Sequence, residues 1–176
     1  MSTHAADPIS PSEVRQTPWR IDPARSSVEF HSRTFWGMVT VKGHFDRFQG
    51  TLDLSKQTAI ALTIEAASLD TSNKKRDTHL RSRDFFDVEK NPYVRFTSES
   101  AALDDEKLKV RGRLRARGSS IPLELEATLK PVGDELEVEA VTEVDHHALG
   151  MIWNQLGMLR TPSKLIVKGR LVRDVG

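Results

Sequence analysis

The residues with the greatest capacity for chemistry lie in two long connections between short apolar segments. In the first connection, residues 71–92, Asp77, His79 and Asp84 lie close enough in sequence to supply a general acid and a general base. Arginines surround them, so the same residues also fit a salt-bridged connection that closes one end of the fold. The sequence favours this structural role over catalysis.

The second connection, residues 145–163, begins with Asp145, His146 and His147, a triplet superficially similar to one in metal-dependent phosphoesterases. A metal site of that kind needs several further aspartate or histidine ligands, whereas the remaining histidines are scattered along the chain. We therefore predict no metal site and expect a solvated loop here.

Composition excludes several classes of protein. The 176 residues contain no cysteine, so disulfides, zinc–thiolate sites and a cysteine nucleophile are impossible. The 26 basic and 25 acidic side chains give a net charge of +1, which argues against a nucleic-acid binder or a polybasic membrane tether. Glycine-rich phosphate loops and a nucleophile elbow are also missing from the sequence, and we predict no cofactor.

The N-terminal segment has a different composition from the rest of the chain. Residues 1–17 are rich in serine, threonine, proline and alanine, and we interpret them as a flexible tail ahead of one domain, residues 18–176. The segment lacks the basic and apolar parts of a secretory signal, and no apolar run approaches the ~20 residues of a membrane span. We therefore expect a cytoplasmic protein without stable membrane insertion.

From Trp19 onward, apolar residues recur at every second position, which is typical of strands with one buried face. Most segments are joined by short turns, so neighbouring strands should be antiparallel. A sandwich and a barrel would both bury the apolar face. With about eight meandering strands the all-β, up-and-down barrel is favoured, because closure removes exposed edges. A short helix, capped by Ser72 or Asn73, is expected within residues 71–92.

The outward positions of the later strands carry alternating charge. Basic residues occupy every second position from Lys107 to Arg117, and the following segments carry glutamates such as Glu124 and Glu137. A basic stripe alone would suit a polyanionic partner. Antiparallel pairing would instead set basic beside acidic side chains, and we predict a self-neutralised outer wall.

Four sequence blocks stand out. The first begins at Trp19 and includes Arg25, and the second runs from Val41 to Gly50. The third and most specific runs from Leu69 to Val88, and a looser fourth runs from Gly112 to Pro122. Over residues 19–173 these blocks resemble the YceI-like family of lipocalin-like, polyisoprenoid-binding barrels, in which the position of Arg25 is more often histidine. The resemblance implies a barrel of about eight strands, an elongated apolar cavity for an isoprenoid chain, and a homodimer.

Burial of a long apolar chain is driven by the surface removed from water, about 25 cal/mol per Å². We therefore expect the inward apolar residues to bind the ligand, with a polyprenyl phosphate or a quinone-type lipid as examples. Arg76, Arg81 or His79 would form a cationic mouth for a pyrophosphate head group. Phe85 and Phe86 would either plug the barrel mouth or contact the ligand. The predicted ligand-binding residues are Val28, Phe30, Val39, Val41, Phe45, Leu62, Ile64, Arg76, His79, Phe85, Phe86, Phe96, Val110, Leu114, Leu123, Leu125, Met151 and Trp153.

Three functions follow as hypotheses. The first is non-enzymatic binding, transport or storage of an isoprenoid or another long apolar lipid. The second is an isomerase or hydrolase acting on an apolar substrate in the same cavity, which would require buried ionisable groups there. The third is a stress-related interaction module that uses the charged strand faces.

Overall fold

A computed structural model describes residues 7–34, 39–151 and 159–176 of the chain. Within these ranges the chain forms two α-helices, α1 (Pro11–Gln16) and α2 (Lys74–Arg81), together with eleven strands. The strands are β1 (Trp19–Ile21), β2 (Ser27–Thr34), β3 (Thr40–Phe45), β4 (Phe48–Leu52), β5 (Ile60–Glu65), β6 (Leu69–Asp70), β7 (Tyr93–Asp104), β8 (Lys107–Ala116), β9 (Ser119–Val132), β10 (Glu135–Val144) and β11 (Leu159–Arg173). Neither described helix has the length or apolar character of a membrane span.

The strands close into an antiparallel, eight-stranded barrel. Around the wall, β4, β5, β7, β8, β9, β10 and β11 follow one another, and β1 completes the ring by pairing with both β4 and β11. The earlier part of β11 pairs with β2 in place of β1. Strand β2 pairs with β3, and β3 pairs with β6. Three long wall strands are thus each broken once, as β1–β2, β3–β4 and β5–β6. The predicted up-and-down barrel is confirmed.

Local turn chemistry sets the meander. Two-residue loops join β7 to β8, β8 to β9 and β9 to β10. In the second of these loops Arg117 and Gly118 have φ of +53° and +74°, the backbone that a type I′ hairpin requires. Tight hairpins of this type match the twist of the flanking strands, so consecutive strands pair as neighbours.

Opposite charges pair across the outer wall, as predicted. Arg111 lies 3.1 Å from Glu124 across β8 and β9, and Lys107 lies 3.7 Å from Glu126 on the same pair of strands. The neighbouring β10 and β11 carry a similar pair between Lys168 and Glu139, at 3.7 Å. Such exposed pairs add little stability individually, but they oppose a register slip that would bring like charges together.

The connection after β6 contains the predicted short helix. The side chain of Asn73 accepts a hydrogen bond of 3.0 Å from the backbone N–H of Arg76, which is the N-cap contact expected from the sequence. Leu80 on this helix is fully buried against the barrel. The helix therefore closes the end of the barrel that contains the 145–151 turn, which we call the upper end.

At the opposite, lower end, part of the predicted flexible tail is ordered, which corrects the prediction. Ser10 caps helix α1 by accepting from the N–H of Glu13, and Pro11 occupies its first turn. Ile9 and Val14, the two large aliphatic residues of the tail, are both buried. The indole N–H of Trp19 donates to the carbonyl of Val14 at 3.2 Å. The two buried aliphatics and this bond dock the six-residue helix on the barrel, together with a hydrogen bond of 2.8 Å from Arg15 to the carbonyl of Leu103.

A bidentate ion pair joins the segment between β1 and β2 to the first residue of β10. Both terminal nitrogens of Arg25 bond the carboxylate of Glu135, each at 2.8 Å, and its Nε bonds Asp22 at 2.7 Å. The Arg25 guanidinium holds the pKa of both the Asp22 and the Glu135 carboxyl groups below their ordinary values. The folded protein therefore favours the ionised carboxylates.

Replacement of Val14 by alanine tests the docking of α1. Removing a buried branched side chain should lower the free energy of unfolding by roughly 1–3 kcal/mol. Val175, which is 91% exposed, provides the matched control, and its replacement by alanine should change stability by no more than about 0.5 kcal/mol. Urea unfolding measures both variants, and equal stability of the two would show that α1 does not stabilise the barrel.

Replacement of Arg25 by glutamine should destabilise the protein at neutral pH but much less in acid. The two carboxyl groups have lowered pKa values in the folded state, so their contribution is present above the unfolded pKa and is lost as pH falls through the folded one. The melting-temperature difference from the parent protein should thus shrink below about pH 4. The exposed Arg111→Gln variant is the control, and a pH-independent difference for Arg25→Gln would contradict the assignment.

Candidate ligand-binding cavity

Three cavities lie in a row inside the barrel. The upper cavity, of about 70 Å³, lies beneath the 71–92 connection, and the lower cavity, of about 120 Å³, lies towards β1 and the β7–β8 hairpin. A middle cavity of about 50 Å³ shares Ile64, Leu114 and Leu165 with the upper one. With the lower one it shares Leu62, Phe96, Leu125, Ala140 and Val167. Side chains rather than backbone therefore separate the three spaces.

The lining of the middle and lower cavities is almost wholly apolar, and that of the upper cavity is mostly apolar. Leu125, Ala140 and Val167 point inward yet are only partly buried, because they face open space instead of packed atoms. Each cavity exceeds the ~10–15 Å³ that one water molecule requires, but an apolar lining offers water few partners. The interior is suited to an apolar chain that follows the barrel axis.

The structure brings most of the sequence-predicted binding residues to this row. Those that line one or more of the cavities are Phe30, Phe45, Leu62, Ile64, Phe85, Phe86, Phe96, Leu114, Leu123, Leu125 and Met151. Val28, Val41 and Val110 are buried in the core without lining any of the three. Contact of these residues with a ligand stays a prediction.

Other predicted binding residues lie elsewhere. Val39 precedes β3 and is 56% exposed, because the alternating strand pattern begins only at Thr40. Arg76 donates to the Thr71 hydroxyl and carbonyl, each at 2.8 Å, and so braces the connection instead of facing the lumen. His79 lies 3.7 Å from the exposed carboxylate of Asp84, outside the cavity row. Arg76 and His79 thus line none of the three cavities, and a cationic mouth from Arg76, Arg81 or His79 stays a prediction. Trp153 lies outside the described residues.

Phe85 and Phe86 close the upper end and line the upper cavity at once. Their ring centroids are 5.2 Å apart, and Phe86 packs edge-on against Phe45 at 5.9 Å. Phe85 also lies beside the His146 ring, with centroids 5.8 Å apart. The sequence left open whether this pair plugs the barrel or meets a ligand. Its position at the barrel end agrees with a plug, and contact with a ligand stays a prediction.

Two inward glycines make room for aromatic rings. A Cβ atom on Gly43 would lie 2.4 Å from the Phe30 ring, and one on Gly112 would lie 2.7 Å from the Phe96 ring. The phenyl rings occupy the space that the missing side chains leave. The glycines thus allow two phenylalanines to lie against the wall and border the cavities.

A buried polar group lies in the wall of the upper cavity. The hydroxyls of Ser32 and Ser163 are 2.5 Å apart, and the Ser163 hydroxyl is 2.8 Å from Nδ1 of His146. Ser32 and His146 are only 3% and 4% exposed. We name this chain of hydrogen bonds the serine–histidine relay. It is a hydroxyl–imidazole arrangement able to donate or accept a proton inside an otherwise apolar space.

A bulge and a turn bring the relay together. Between β2 and β11 the register shifts at residues 160–164, so three residues of β11 lie opposite Ser32, and Ser163 lines the cavity. In the 145–151 turn, the Asp145 carboxylate accepts from the N–H groups of His147 and Ala148 at 3.1 and 3.3 Å. The turn buries His146, so the expectation of a solvated loop is wrong at that residue.

The sequence did not assign any member of the relay to the cavity, since His146 was considered only as a possible metal ligand. Period-two alternation places Ser32 on the same face as Val28 and Phe30. A serine at this inward position is the sequence feature that could have indicated a polar group inside the barrel. Ser163 and His146 carried no such signal, since a bulge and an irregular turn set their directions.

Asp77 holds the 71–92 connection against the barrel. Its carboxylate is buried and accepts from the Thr71 N–H at 3.0 Å and from the Thr71 hydroxyl at 2.5 Å. Arg81 donates to the carbonyls of Ala67 and Leu69. The connection that carries Phe85 and Phe86 is therefore fixed by hydrogen bonds, which supports the structural role favoured by the sequence for these charges.

One further group of ionisable side chains lies on the outer surface. His44, Asp46 and Asp70 have ligand atoms within 4.8 Å of one another where β3 pairs with β6. The imidazole of His44 lies 3.0 Å from the Asp46 carboxylate, and both residues are exposed. The group faces away from the cavities and does not contribute to them.

Comparison with known proteins places the chain among similar barrels. The model of the YceI-like domain matches residues 19–171. The protein YceI of Escherichia coli O157:H7 is 38% identical over 103 residues, 56% of this chain and 54% of the relative, and that of Salmonella arizonae is 37% identical over the same length. The chain thus spans about half the length of these curated relatives.

Two solved structures share the fold. BcnA of Burkholderia cenocepacia has a TM-score of 0.76 at 21% identity, covering 86% of this chain and 99% of that one. A polyisoprenoid binding domain from Saccharophagus degradans, implicated in plant cell wall breakdown, has a TM-score of 0.74 at 14% identity, covering 90% and 100%. At these identities the likeness establishes the barrel alone.

Replacement of Asp77 by alanine should loosen the cover of the upper cavity. Loss of a buried carboxylate that bonds Thr71 twice should cost roughly 1–3 kcal/mol and speed hydrogen exchange across residues 71–92. Asp84→Ala is the matched control, because Asp84 lies on the same connection but its side chain is 68% exposed. This variant should leave the free energy of unfolding and the hydrogen exchange of residues 71–92 unchanged. Equal exchange in the two variants would contradict the anchoring role.

Proposed function

The chain belongs to the YceI-like domain family, and from that membership and the row of apolar cavities we propose that it binds an isoprenoid or a similar long apolar lipid inside its barrel, for transport or storage. The observation that carries the proposal is the alignment of the three cavities. Neighbouring cavities share lining side chains. Rotamer changes at Leu114 or Leu165 would join the upper cavity to the middle one, and changes at Leu62, Phe96 or Leu125 would join the middle cavity to the lower one, giving one elongated channel.

Physical chemistry favours a chain-like guest. An apolar tail offers few groups for directional bonding, so its affinity grows with buried surface, at about 25 cal/mol per Å². Closure of the ends by Phe85 and Phe86 above and by α1 below would shield such a tail from water. The S. degradans domain with the same fold is described as polyisoprenoid binding, which supports the same class of guest here.

Catalysis by the acid–base residues that the sequence suggested and docking through the charged strand faces receive less support. The acid–base candidates His79 and Asp84 lie outside the cavity row, so an apolar substrate in the barrel would not meet them. On the outer wall, basic side chains such as Arg111 face glutamates, which reduces the field that a charged partner would recognise. The expected homodimer and cytoplasmic location stay predictions.

Mass spectrometry of the purified protein tests the proposal. The protein expressed in a bacterium should carry a co-purified long-chain lipid, seen as added mass under native conditions and recovered by extraction with organic solvent. After delipidation it should take up squalene, an isoprenoid hydrocarbon, in a stoichiometric amount. A barrel that retains no lipid and takes up no squalene would overturn the proposal.

Replacement of Ala140 by phenylalanine should block the channel. Ala140 borders both the middle and the lower cavity, so a ring at this position fills the space between them. We expect squalene affinity to fall at least tenfold, on the order of 1.4 kcal/mol. Val141→Phe adds the same ring to the outer face of the same strand, where Val141 is 47% exposed, and should bind like the parent protein. Equal binding by the two variants would place the guest elsewhere.

A further inference from the structure

We propose that the serine–histidine relay is the recognition site for an uncharged oxygen-bearing head group, a hydroxyl or a carbonyl, at the end of the apolar guest. This proposal rests on the proposed function, because it assigns the guest's polar end to the upper cavity and its tail to the middle and lower cavities. It concerns Ser32, Ser163 and His146, three residues contributed by β2, β11 and the 145–151 turn.

The position of the relay supports a head-group site. Of the described residues that line the three cavities, polar side chains concentrate at the upper one, while the middle and lower cavities are almost wholly apolar. A guest with one polar end and an apolar tail would match this distribution in a single orientation. The relay also coincides with the bulge between β2 and β11, where regular strand pairing is interrupted at Ser163.

The chemistry of the relay sets the kind of head group. Each serine hydroxyl carries one proton, so the chain of bonds runs in one direction at a time. When Nδ1 of His146 accepts from Ser163, Ser163 accepts from Ser32, and the lone pairs of Ser32 are available to a hydroxyl on the guest. When Nδ1 carries the proton, the direction reverses and Ser32 donates to a carbonyl. The relay thus accommodates either group at the same oxygen position.

Charge argues against an anionic head group in this place. Lys164 is the charged residue among the described lining of the upper cavity, and it is exposed at the rim. A phosphate beside Ser32 and His146 would lose its hydration among the rings of Phe30, Phe45 and Phe86 without a buried cation to replace it, which is costly. A neutral oxygen needs only one or two hydrogen bonds, and the relay supplies them.

Binding of three matched probes tests the assignment: geranylgeraniol, geranylgeranyl phosphate and the hydrocarbon with the same chain but no oxygen. The parent protein should bind the alcohol roughly three- to tenfold more tightly than the hydrocarbon, the contribution of one buried hydrogen bond. Ser32→Ala should abolish that preference and leave hydrocarbon affinity within about twofold. A methyl ketone of the same chain should behave like the alcohol in both proteins.

Ser98→Ala is the matched control, because Ser98 is also a buried serine of the barrel but bonds the N–H of Ile60 and lines none of the three cavities. It should keep the preference for the alcohol. If Ser32→Ala does not fold, Ser163→Ala interrupts the relay at its centre, and the same loss is expected.

Each contrary result has its own meaning. Tighter binding of the phosphate than of the alcohol, or an equal loss of alcohol and hydrocarbon affinity in Ser32→Ala, would overturn the head-group site while lipid binding stands. Binding of the hydrocarbon by the parent protein without any preference for the alcohol would do the same. If the parent protein binds none of the probes, the proposed function is overturned, and this assignment with it.

Discussion

Closure of the sheet by β11 is the constraint on which the rest of the molecule depends. This strand spans Leu159–Arg173 and pairs with β10 on one side and with both β1 and β2 on the other. Because the ring is complete, every inward side chain faces the same axis, and period-two alternation in the sequence becomes a separation of inside from outside. The cavity row, the glycine-supported rings and the outer charge pairs all follow from that separation.

The described interior is mostly apolar, and the buried polar group in the wall of the upper cavity is therefore informative. Burying a hydroxyl or an imidazole among phenylalanine rings is unfavourable unless each finds a hydrogen-bond partner. Ser32, Ser163 and His146 satisfy one another by direct contact, at 2.5 and 2.8 Å. The relay introduces directional bonding into a cavity that otherwise selects a guest by size and shape.

Much of the fold follows from sequence alone, since alternation and turn residues are local signals. Gly118 in its hairpin and Asn73 at the helix cap both adopt the roles that their residue types predict. The cavity site follows only in part. The direction of Ser163 depends on a bulge, and the burial of His146 depends on a turn packed against distant strands. The direction of Arg76 depends on a hydrogen bond to the Thr71 carbonyl, five residues earlier in the same connection, which a charge pattern does not reveal.

The pairing of Trp19 with Arg173 joins residues from nearly opposite ends of the chain, whereas the β7–β10 hairpins join near neighbours. Contacts between residues far apart in sequence cost more chain entropy than contacts within a hairpin. The hairpins should therefore form early during folding, and the pairing of β1 with β11 should form late. Until that pairing forms, the nascent sheet presents two unpaired edges beside a bare apolar face. The interval before ring completion is thus the period in which the chain is most prone to self-association.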